Sequence, residues 1–258
     1  MLILVTNDDG IHSPGLLSLS ESLRSLGKVV IVAPDRERSA VGRSLTLHSP
    51  LRAEEIRPGI FSVDGTPSDC VNLGVHGLLK ERPDLVVSGI NKGGNLGDDI
   101  TYSGTVAAAM EATLMGVPAF AVSLEGGPYH SDNFDVTGRF SVVLAGEILR
   151  RRLPPDTFLN VNVPTGIPKG VRFTRQGKRV YGDVVIEKVD PRGRKYYWIG
   201  GGELSFQNIE GTDFHAMQSR FISITPLHLD LTNYRSFEQM QGWNIDVSTV
   251  LSPAGAGR

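Results

Sequence analysis

The chain has 258 residues, 40% of them hydrophobic, which is enough to bury the core of one large domain or of a domain with an appendage. Its 26 Lys and Arg residues nearly balance 28 Asp and Glu residues, so the overall charge excludes the strongly basic surface of a general nucleic-acid or anionic-membrane binder. The chain has a single cysteine, Cys70, which excludes an intrachain disulfide and favours a reducing compartment. It lies among the apolar positions of a predicted helix, so we expect it in the core of the protein.

The chain carries no apolar stretch long enough to span a bilayer. It opens directly into a strand-like run, without the basic and long apolar regions of a secretory signal. We therefore expect a cytoplasmic protein with no membrane partner and no obligatory nucleic-acid partner.

Residues 1–125 alternate short apolar runs with helical patterns, which predicts an α/β fold: a parallel sheet with helices on both faces. The predicted strands are Leu2–Thr6, Val29–Ala33, Ile60–Val63, Asp84–Ile90 and Pro118–Ser123. The predicted helices are Leu16–Leu26, a second that Thr66 caps, and a third that begins near Ser103 and runs to Ala112. A long polar loop, Asp35–Pro50, separates the second and third strands, and loops of this length are usually functional.

The pattern is looser from residue 126 onward. It predicts a helix at Val136–Leu153, strands at Phe158–Pro164 and Phe221–Leu227, and a β-hairpin formed by Val180–Val189 and Lys195–Ile199. Four hairpin aromatics either contact a partner chain or pack on their own domain: Tyr181, Tyr196, Tyr197 and Trp198. We expect one domain over 1–250, with a core at 1–125, completing elements and an oligomerisation tail at 126–250, and a flexible end at 251–258, so that the tail from Ser252 is frayed.

Two adjacent acids, Asp8 and Asp9, follow the first predicted strand directly. Ligands of open α/β sheets collect beyond the carboxyl ends of the strands. Neighbouring carboxylates repel each other and lose hydration when they are buried, so a cation between them stabilises the pair. The alternative is an ordinary solvated turn, since Asn, Asp and Gly are common turn residues.

Two further oxygen donors fall at the same predicted edge of the sheet. Ser39 lies in the loop after the second strand, and Asn91 follows the strand Asp84–Ile90. Together with Asp8 and Asp9 they form a hard-donor set, which suits Mg²⁺ or Mn²⁺ and suits Zn²⁺ poorly because it contains no Cys or His.

The segment after Asn91 has the character of an anion site. Its glycines allow backbone amides to approach a ligand, and the helix that begins near Ser103 offers free amides and the positive end of its dipole. The residues concerned are Asn95, Ser103, Gly104 and Thr105. Each also has a structural explanation, because Ser and Thr cap most helices and Asn is common in glycine-rich turns.

Other candidates are weaker. None of His12, His48, His130 and His215 has metal-ligand spacing with another, and surface or core packing explains each more simply than a role as general acid. Three arginines flank Ser39 and either attract an anionic substrate or are solvated loop charges: Arg36, Arg38 and Arg43.

Several ordered motifs resemble the SurE family. They are TNDDG at Thr6–Gly10, VAPDRERSAVG at Val32–Gly42, GTPSDCV at Gly65–Val71, VSGINKGGNLGDDITYSGTVAAAMEA at Val87–Ala112, GTDFHAM at Gly211–Met217 and SITPL at Ser223–Leu227. The match covers nearly the whole chain. Its one small departure is in the NxGxN stretch, where Lys92-Gly93-Gly94 separates the two asparagines; Lys92 could add a charge near the phosphate.

The resemblance implies a divalent-metal-dependent 5′/3′-nucleotidase, a phosphoric monoester hydrolase that acts on nucleoside monophosphates. It implies a Rossmann-like core, one Mg²⁺ or Mn²⁺ ion per subunit, and homodimers or homotetramers built partly by C-terminal exchange. By the family pattern, the metal ligands fall on Asp8, Asp9, Ser39 and Asn91.

The expected mechanism is attack by a metal-bound water on a phosphate that Asn95, Ser103, Gly104 and Thr105 hold, with Asp8 or Asp9 as a possible proton acceptor. Direct attack by either acid, giving an aspartyl phosphate, is the alternative mechanism. A phosphatase acting mainly on other monoesters or short polyphosphate and a non-catalytic nucleotide sensor are the alternative functions.

Overall fold

The computed structural model describes residues 1–127, 129, 131–180, 185–199, 205–243 and 245, with the side chains of 131–133 excepted. The strands are β1 (Leu2–Thr6), β2 (Lys28–Pro34), β3 (Ala53–Arg57), β4 (Ile60–Val63), β5 (Leu85–Lys92), β6 (Ala119–Glu125), β7 (Thr157–Pro164), β8 (Val171–Phe173), β9 (Arg179–Val180), β10 (Val185–Val189), β11 (Lys195–Ile199), β12 (Ser205–Phe206) and β13 (Ile222–His228). The helices are α1 (Pro14–Leu23), α2 (Pro67–Leu73), α3 (Gly104–Leu114), α4 (Ser131–Arg151), α5 (Asp213–Gln218) and α6 (Tyr234–Met240).

A nine-stranded sheet with the order β3-β4-β2-β1-β5-β6-β7-β13-β8 forms the centre of the molecule. The strands from β4 to β7 in this order are mutually parallel. β3 pairs with β4, and β13 with β7, in antiparallel fashion, so the sheet is mixed at its two ends, which the sequence pattern did not predict. The predicted α/β class, a large sheet with helices on both faces, is confirmed.

The strands of the sheet are apolar because both of its faces are covered. In β1, Ile3 and Val5 pack on one face and Leu2 and Leu4 on the other. Leucines at helical spacing in α1 and side chains of α4 fill the first layer, whereas Cys70 and residues of α2 and α3 fill the second. Cys70 is fully buried, as expected for a core residue.

The parallel strands have the β4-β2-β1-β5-β6-β7 order of doubly wound nucleotide-binding folds. The chain moves outward from β1 to β4 and then returns to β5 on the other side of β1. The direction of winding therefore reverses between β1 and β5, and ligands of open α/β sheets bind in the crevice that such a reversal leaves. Asp8 lies two residues beyond the end of β1, and Asn91 is the second-to-last residue of β5.

Several elements differ from the sequence expectation. Helix α1 begins at Pro14, two residues before the predicted start, since proline suits the first turn of a helix; α4 begins at Ser131. The short elements of the C-terminal half were not predicted: β8, β9, β12, α5 and α6.

The predicted hairpin is present as β10 and β11, which pair from Val185 opposite Ile199 to Val189 opposite Lys195. Both strands are exposed along their whole length. Tyr181 and the tail from Ser252 lie outside the described residues. Among the helices that the structure describes, none combines the length and apolar character needed to cross a membrane.

Candidate metal and phosphate site

A tight turn presents the two acids at the end of β1. The Asn7 side-chain amide donates to the carbonyl of Gly10 at 3.1 Å and closes the turn. Gly10 has φ +94°, and a Cβ there would lie 2.9 Å from the backbone carbon of Arg36. Glycine at this position therefore lets the loop after β2 pack directly against the acid pair.

The first turn of α3 holds Asp8. The Thr105 amide donates to Asp8 Oδ2 at 3.2 Å, and the Thr105 hydroxyl donates to Asp8 Oδ1. A Cβ on Gly104 would lie 2.9 Å from Asp8 Cβ, so only glycine allows this close approach. Asp8 is 5% exposed, and this burial raises its pKa although the Thr105 bonds oppose the shift.

Asp9 faces β5 across the crevice. The Lys92 amide donates to Asp9 Oδ2 at 3.3 Å. Burial, and then the charge of Asp8, raise the pKa of Asp9 to about 6, while Lys92 acts in the opposite sense. Two neighbouring carboxylates that both resist ionisation are the arrangement that a divalent cation stabilises, so the residues present fit a bound metal.

The loop that carries Ser39 is fixed to the acid turn by its backbone. The Arg38 amide donates to the carbonyl of Asp8 at 2.7 Å. The Ser39 side chain is exposed, and its hydroxyl donates to Glu37 Oε1 at 2.6 Å. Glu37 was not among the predicted site residues, although its charge raises the pKa of both Asp8 and Asp9. A carboxylate two residues before Ser39 in the same loop was the signal that could have identified it.

Asn91 is half-buried near the end of β5. Its side-chain amide donates to the carbonyl of Gly93 at 2.7 Å. This bond uses one of the two protons of the NH₂ group, and the side-chain carbonyl oxygen is the atom that can ligate a cation.

Asn95 is held from the neighbouring strands. Its side-chain amide donates to the Ser123 hydroxyl at 2.7 Å, and its backbone amide donates to Asn162 Oδ1 at 2.8 Å. Its carbonyl accepts from the side-chain amides of Asn160 at 2.7 Å and Asn162 at 3.0 Å. Asn160 and Asn162 were not among the predicted site residues. Two asparagines at alternate positions of a buried strand indicated polar groups that need buried hydrogen-bond partners.

The start of α3 is organised as the sequence predicted for a capped helix. The Ser103 hydroxyl accepts from the Val106 amide at 3.1 Å, which leaves its own proton available for donation. Within the described residues, the Gly104 amide is not found to donate a hydrogen bond. Ser103 and Gly104 thus offer donors, whereas both donors of Thr105 are directed at Asp8.

The structure therefore assembles part of the predicted set through direct contacts. It joins Asp8 to Thr105, Asp9 to the end of β5, and the residue before Ser39 to Asp8. The contacts found for the side chains of Ser39, Asn91 and Asn95 are with other residues, namely Glu37, Gly93 and Ser123. In the described part of the chain, no cluster of three or more His, Cys, Asp or Glu side chains could hold a metal, so any ligand set here is mixed.

Among the described residues, the side chains of the weaker candidates form no hydrogen bond or ion pair with Asp8 or Asp9. His12 and His48 are exposed, His215 is half-buried, and His130 lies outside the described residues. Each flanking arginine has a carboxylate partner: Arg36 and Arg38 pair with Asp35 at 3.5 and 3.7 Å, and Arg43 pairs with Glu111 at 3.0 Å. Their charges are thus partly compensated within the protein.

Comparison with known proteins agrees with this fold. Residues 3–183 match the family model described as "Survival protein SurE". The 5′-nucleotidase SurE of Syntrophotalea carbinolica is 65% identical over 248 residues, covering 96% of this chain and 99% of that protein. The 5′-nucleotidase SurE of Geobacter sulfurreducens is 63% identical over 259 residues, covering 99% and 97%.

Among solved structures, the SurE protein from Aquifex aeolicus aligns with a TM-score of 0.84 and 46% identity. The alignment covers 93% of this chain and 98% of that one. Sequence, strand order and length thus agree along nearly the whole molecule, and the chain belongs to the SurE family.

Proposed function

We propose that this protein hydrolyses nucleoside 5′- and 3′-monophosphates to nucleoside and phosphate, in a reaction that needs a divalent cation. The curated relatives named 5′-nucleotidase SurE support the enzyme class, and the chain is a nucleotide phosphatase. The observation that carries the proposal is the acid pair at the β1–β5 reversal, with Asp8 buried and Asp9 half-buried, beside the capped start of α3. A phosphate binder without a metal gains nothing from two anions at this place.

Asp8, Asp9, Ser39 and Asn91 would hold one Mg²⁺ or Mn²⁺ ion per subunit, because all four offer oxygen. When bound, such an ion neutralises phosphate charge and makes a water more acidic. Thr105 holds Asp8 in a single orientation through two hydrogen bonds, so Asp8 is presented to the ion as a fixed ligand.

The phosphate oxygens would be bound by Ser103, by the Gly104 amide and by the Asn95 side chain, with Thr105 acting through its bonds to Asp8. The Ser103 proton and the Gly104 amide lie at the positive end of α3, where an anion is stabilised. Asp9 is the more exposed acid, and the one bond found to it comes from a backbone amide; it is therefore better placed than Asp8 to accept a proton from an attacking water.

The direct test is phosphate release from AMP, GMP, CMP, UMP, their 3′ isomers, glycerol phosphate and short polyphosphate. We expect activity with Mg²⁺ or Mn²⁺, loss on chelation, and recovery on adding either metal. Asp8→Asn and Asp9→Asn should each lower activity by more than the roughly 10–100-fold that altering a group bonded to a metal ligand costs. Asp135→Asn, an exposed acid of α4, is the matched control.

Activity that survives both the chelator and Asp9→Asn contradicts the metal site. Release from polyphosphate alone identifies the alternative phosphatase, and binding of AMP without any release identifies a sensor. A phosphoenzyme trapped on Asp8 or Asp9 in a rapid-quench experiment overturns attack by water.

We further propose a homodimer or homotetramer in the cytoplasm. The β10–β11 hairpin supports association, because isolated two-stranded hairpins are marginally stable in water and this one exposes apolar side chains on both strands. The single cysteine is buried and has no second cysteine in the chain with which to form a disulfide, which is compatible with a reducing compartment.

A further inference from the structure

A cavity of about 690 Å³ is lined on one side by the glycine-rich loop that follows β5. Asn91 donates to the carbonyl of Gly93, and Gly93 and Gly94 then line the cavity wall. Cavities that hold small ligands measure roughly 300–1,000 Å³, so the volume fits a nucleoside. The proposed metal ligand Asn91 thus lies two residues before the first glycine of the cavity wall.

One part of the wall is aromatic and apolar. Phe206 and Phe214 stack with ring centroids 4.6 Å apart and planes 5° from parallel. Leu96 and Met217 pack with them in a small cluster separate from the two main cores. Flat aromatic surfaces flanked by aliphatic side chains are the usual environment for a heterocyclic base.

The remaining wall is polar and carries both signs of charge. Glu125 lines it and accepts a hydrogen bond from the Gly94 amide. Arg179 also lines it; its guanidinium pairs with Asp99 at 2.6 Å, yet its Nε is buried with no hydrogen-bond partner among the described residues. The Arg179 side chain is 21% exposed, and the terminal nitrogens of its guanidinium carry further protons that a ligand oxygen could accept.

We propose that this cavity binds the nucleoside part of the substrate, with the base against Phe206, which Phe214 supports from behind, and a base or ribose oxygen at Arg179. The inference rests on the proposed function, which places the phosphate at the acid pair. The apolar wall and the carboxylate of Glu125 disfavour a polyphosphate chain, which would need a continuous cationic track.

The test compares a substrate with a base, AMP, with one that lacks it, ribose 5-phosphate. For Phe206→Ala we expect kcat/KM for AMP to fall roughly tenfold, mainly through KM, because base stacking is lost, while the value for ribose 5-phosphate stays unchanged. Phe206→Tyr keeps the ring and should retain activity on AMP. Phe173→Ala, an aromatic of β8 that is 75% exposed, is the matched control and should alter neither substrate.

Adenosine provides a second readout, and its competition with substrate is measured on the unmodified enzyme, so this part does not depend on a variant folding correctly. It should inhibit hydrolysis of ribose 5-phosphate competitively in the unmodified enzyme, and calorimetry should give tighter adenosine binding to that enzyme than to Phe206→Ala. Equal losses on AMP and ribose 5-phosphate in Phe206→Ala, or absence of competition by adenosine, overturn the proposal. Failure of the proposed function is different: neither substrate is hydrolysed, while calorimetry still reports whether adenosine binds.

Discussion

Thr105 uses both its hydroxyl and its backbone amide on Asp8. A threonine at the start of a helix usually caps that helix, but here Ser103 is the cap and Thr105 is directed at a carboxylate 97 residues away. The Asp8 carboxylate consequently lies at the N-terminal, positive end of the α3 dipole, where a negative charge is stabilised. We therefore propose that Thr105 orients Asp8 as a metal ligand.

Thr105→Val removes the hydroxyl and keeps the side-chain shape. We expect the apparent metal affinity and kcat/KM to fall roughly 10–100-fold, because a group that orients a metal ligand is lost. The measurement is a Mn²⁺ titration of phosphate release. Thr105→Ser should restore most of the affinity, and Thr113→Val, which removes a hydroxyl bonded within the same helix, should have no effect on it. Equal metal affinity for Thr105→Val and wild type would contradict this role.

The sequence could locate these residues but not their partners. Strand ends of a parallel sheet meet at one edge, and that rule alone brings Asp8, Asp9 and Asn91 to the same region. The bonds of Asn95 depend on Ser123, Asn160 and Asn162, which lie up to 67 residues away on β6 and β7. Such pairings follow from strand register, which a single sequence does not give.

At the scale of elements, β7 supports the glycine-rich loop through its two asparagines. Asn162 both donates to and accepts from the Asn95 backbone, whereas Asn160 only donates to it. Both side chains are buried, so these bonds are made without competition from water. β7 thus fixes the Asn95 backbone, while Ser123 of β6 holds the side chain that we propose contacts the phosphate.

Asn162→Val should raise KM for AMP and lower the free energy of unfolding by about 1–3 kcal/mol, because buried polar groups of Asn95 lose their partners. Asn160→Val removes one bond and should have the smaller effect on both. The measurements are steady-state kinetics and urea unfolding. Asn162→Asp, which keeps the acceptor, should rescue part of the KM effect; a loss of stability with unchanged KM would show that β7 does not position Asn95.

Helix α5 is joined to the same loop from the other side. Asp213 accepts from the amides of Gly97 at 2.8 Å, Gly177 at 2.9 Å and Phe214 at 2.8 Å. Burial raises its pKa although these three bonds oppose the shift. The carboxylate thereby connects α5 with two distant backbone turns.

Asp213→Asn should lower the free energy of unfolding by about 1–3 kcal/mol, because its NH₂ group would face a backbone amide that now donates to a carboxylate oxygen. The urea midpoint of the variant measures this change. Asp156→Asn, an exposed acid before β7, is the matched control. An unchanged midpoint in Asp213→Asn would show that water or a rearranged turn replaces the lost bonds.

The parallel core was predictable because buried strands read as apolar runs, as in β1 and β5. The three residues of β8 and the six of α5 are too short to show a period. β8 exists because it pairs with β13, and α5 because Asp213 and the apolar contacts of Phe214 hold it. Tertiary contacts therefore determine the elements that the sequence pattern could not reveal.

For the whole molecule, the order of the strands concentrates the site at one place. The reversal between β1 and β5 brings the acid turn, the loop after β2 and the start of α3 together, although they are far apart in sequence. The β10–β11 hairpin, by contrast, forms its own two-stranded sheet and is not part of the central one. In the part of the chain that the structure describes, both strands of this hairpin are therefore left exposed.

Both faces of this hairpin expose apolar side chains. Trp198, 61% exposed, lies opposite Ile186 on one face, and Ile199, 92% exposed, lies opposite Val185 on the other. Because such a surface is costly in water, we expect a second copy of the chain to cover it.

Trp198→Glu should shift the particle mass measured by light scattering after size exclusion toward that of the 27.9 kDa monomer, since a charge would be buried in the interface. Leu114→Glu, an equivalent change at an exposed position of α3, should leave the mass of the assembly unchanged. We propose that the phosphate site lies at the β1–β5 crevice of each subunit, so a dissociated Trp198→Glu protein that still hydrolyses AMP would show that each subunit carries a complete site. A variant that retains the wild-type mass, or a wild type that is itself monomeric at micromolar concentration, would mean that the hairpin is not an interface between copies of this chain.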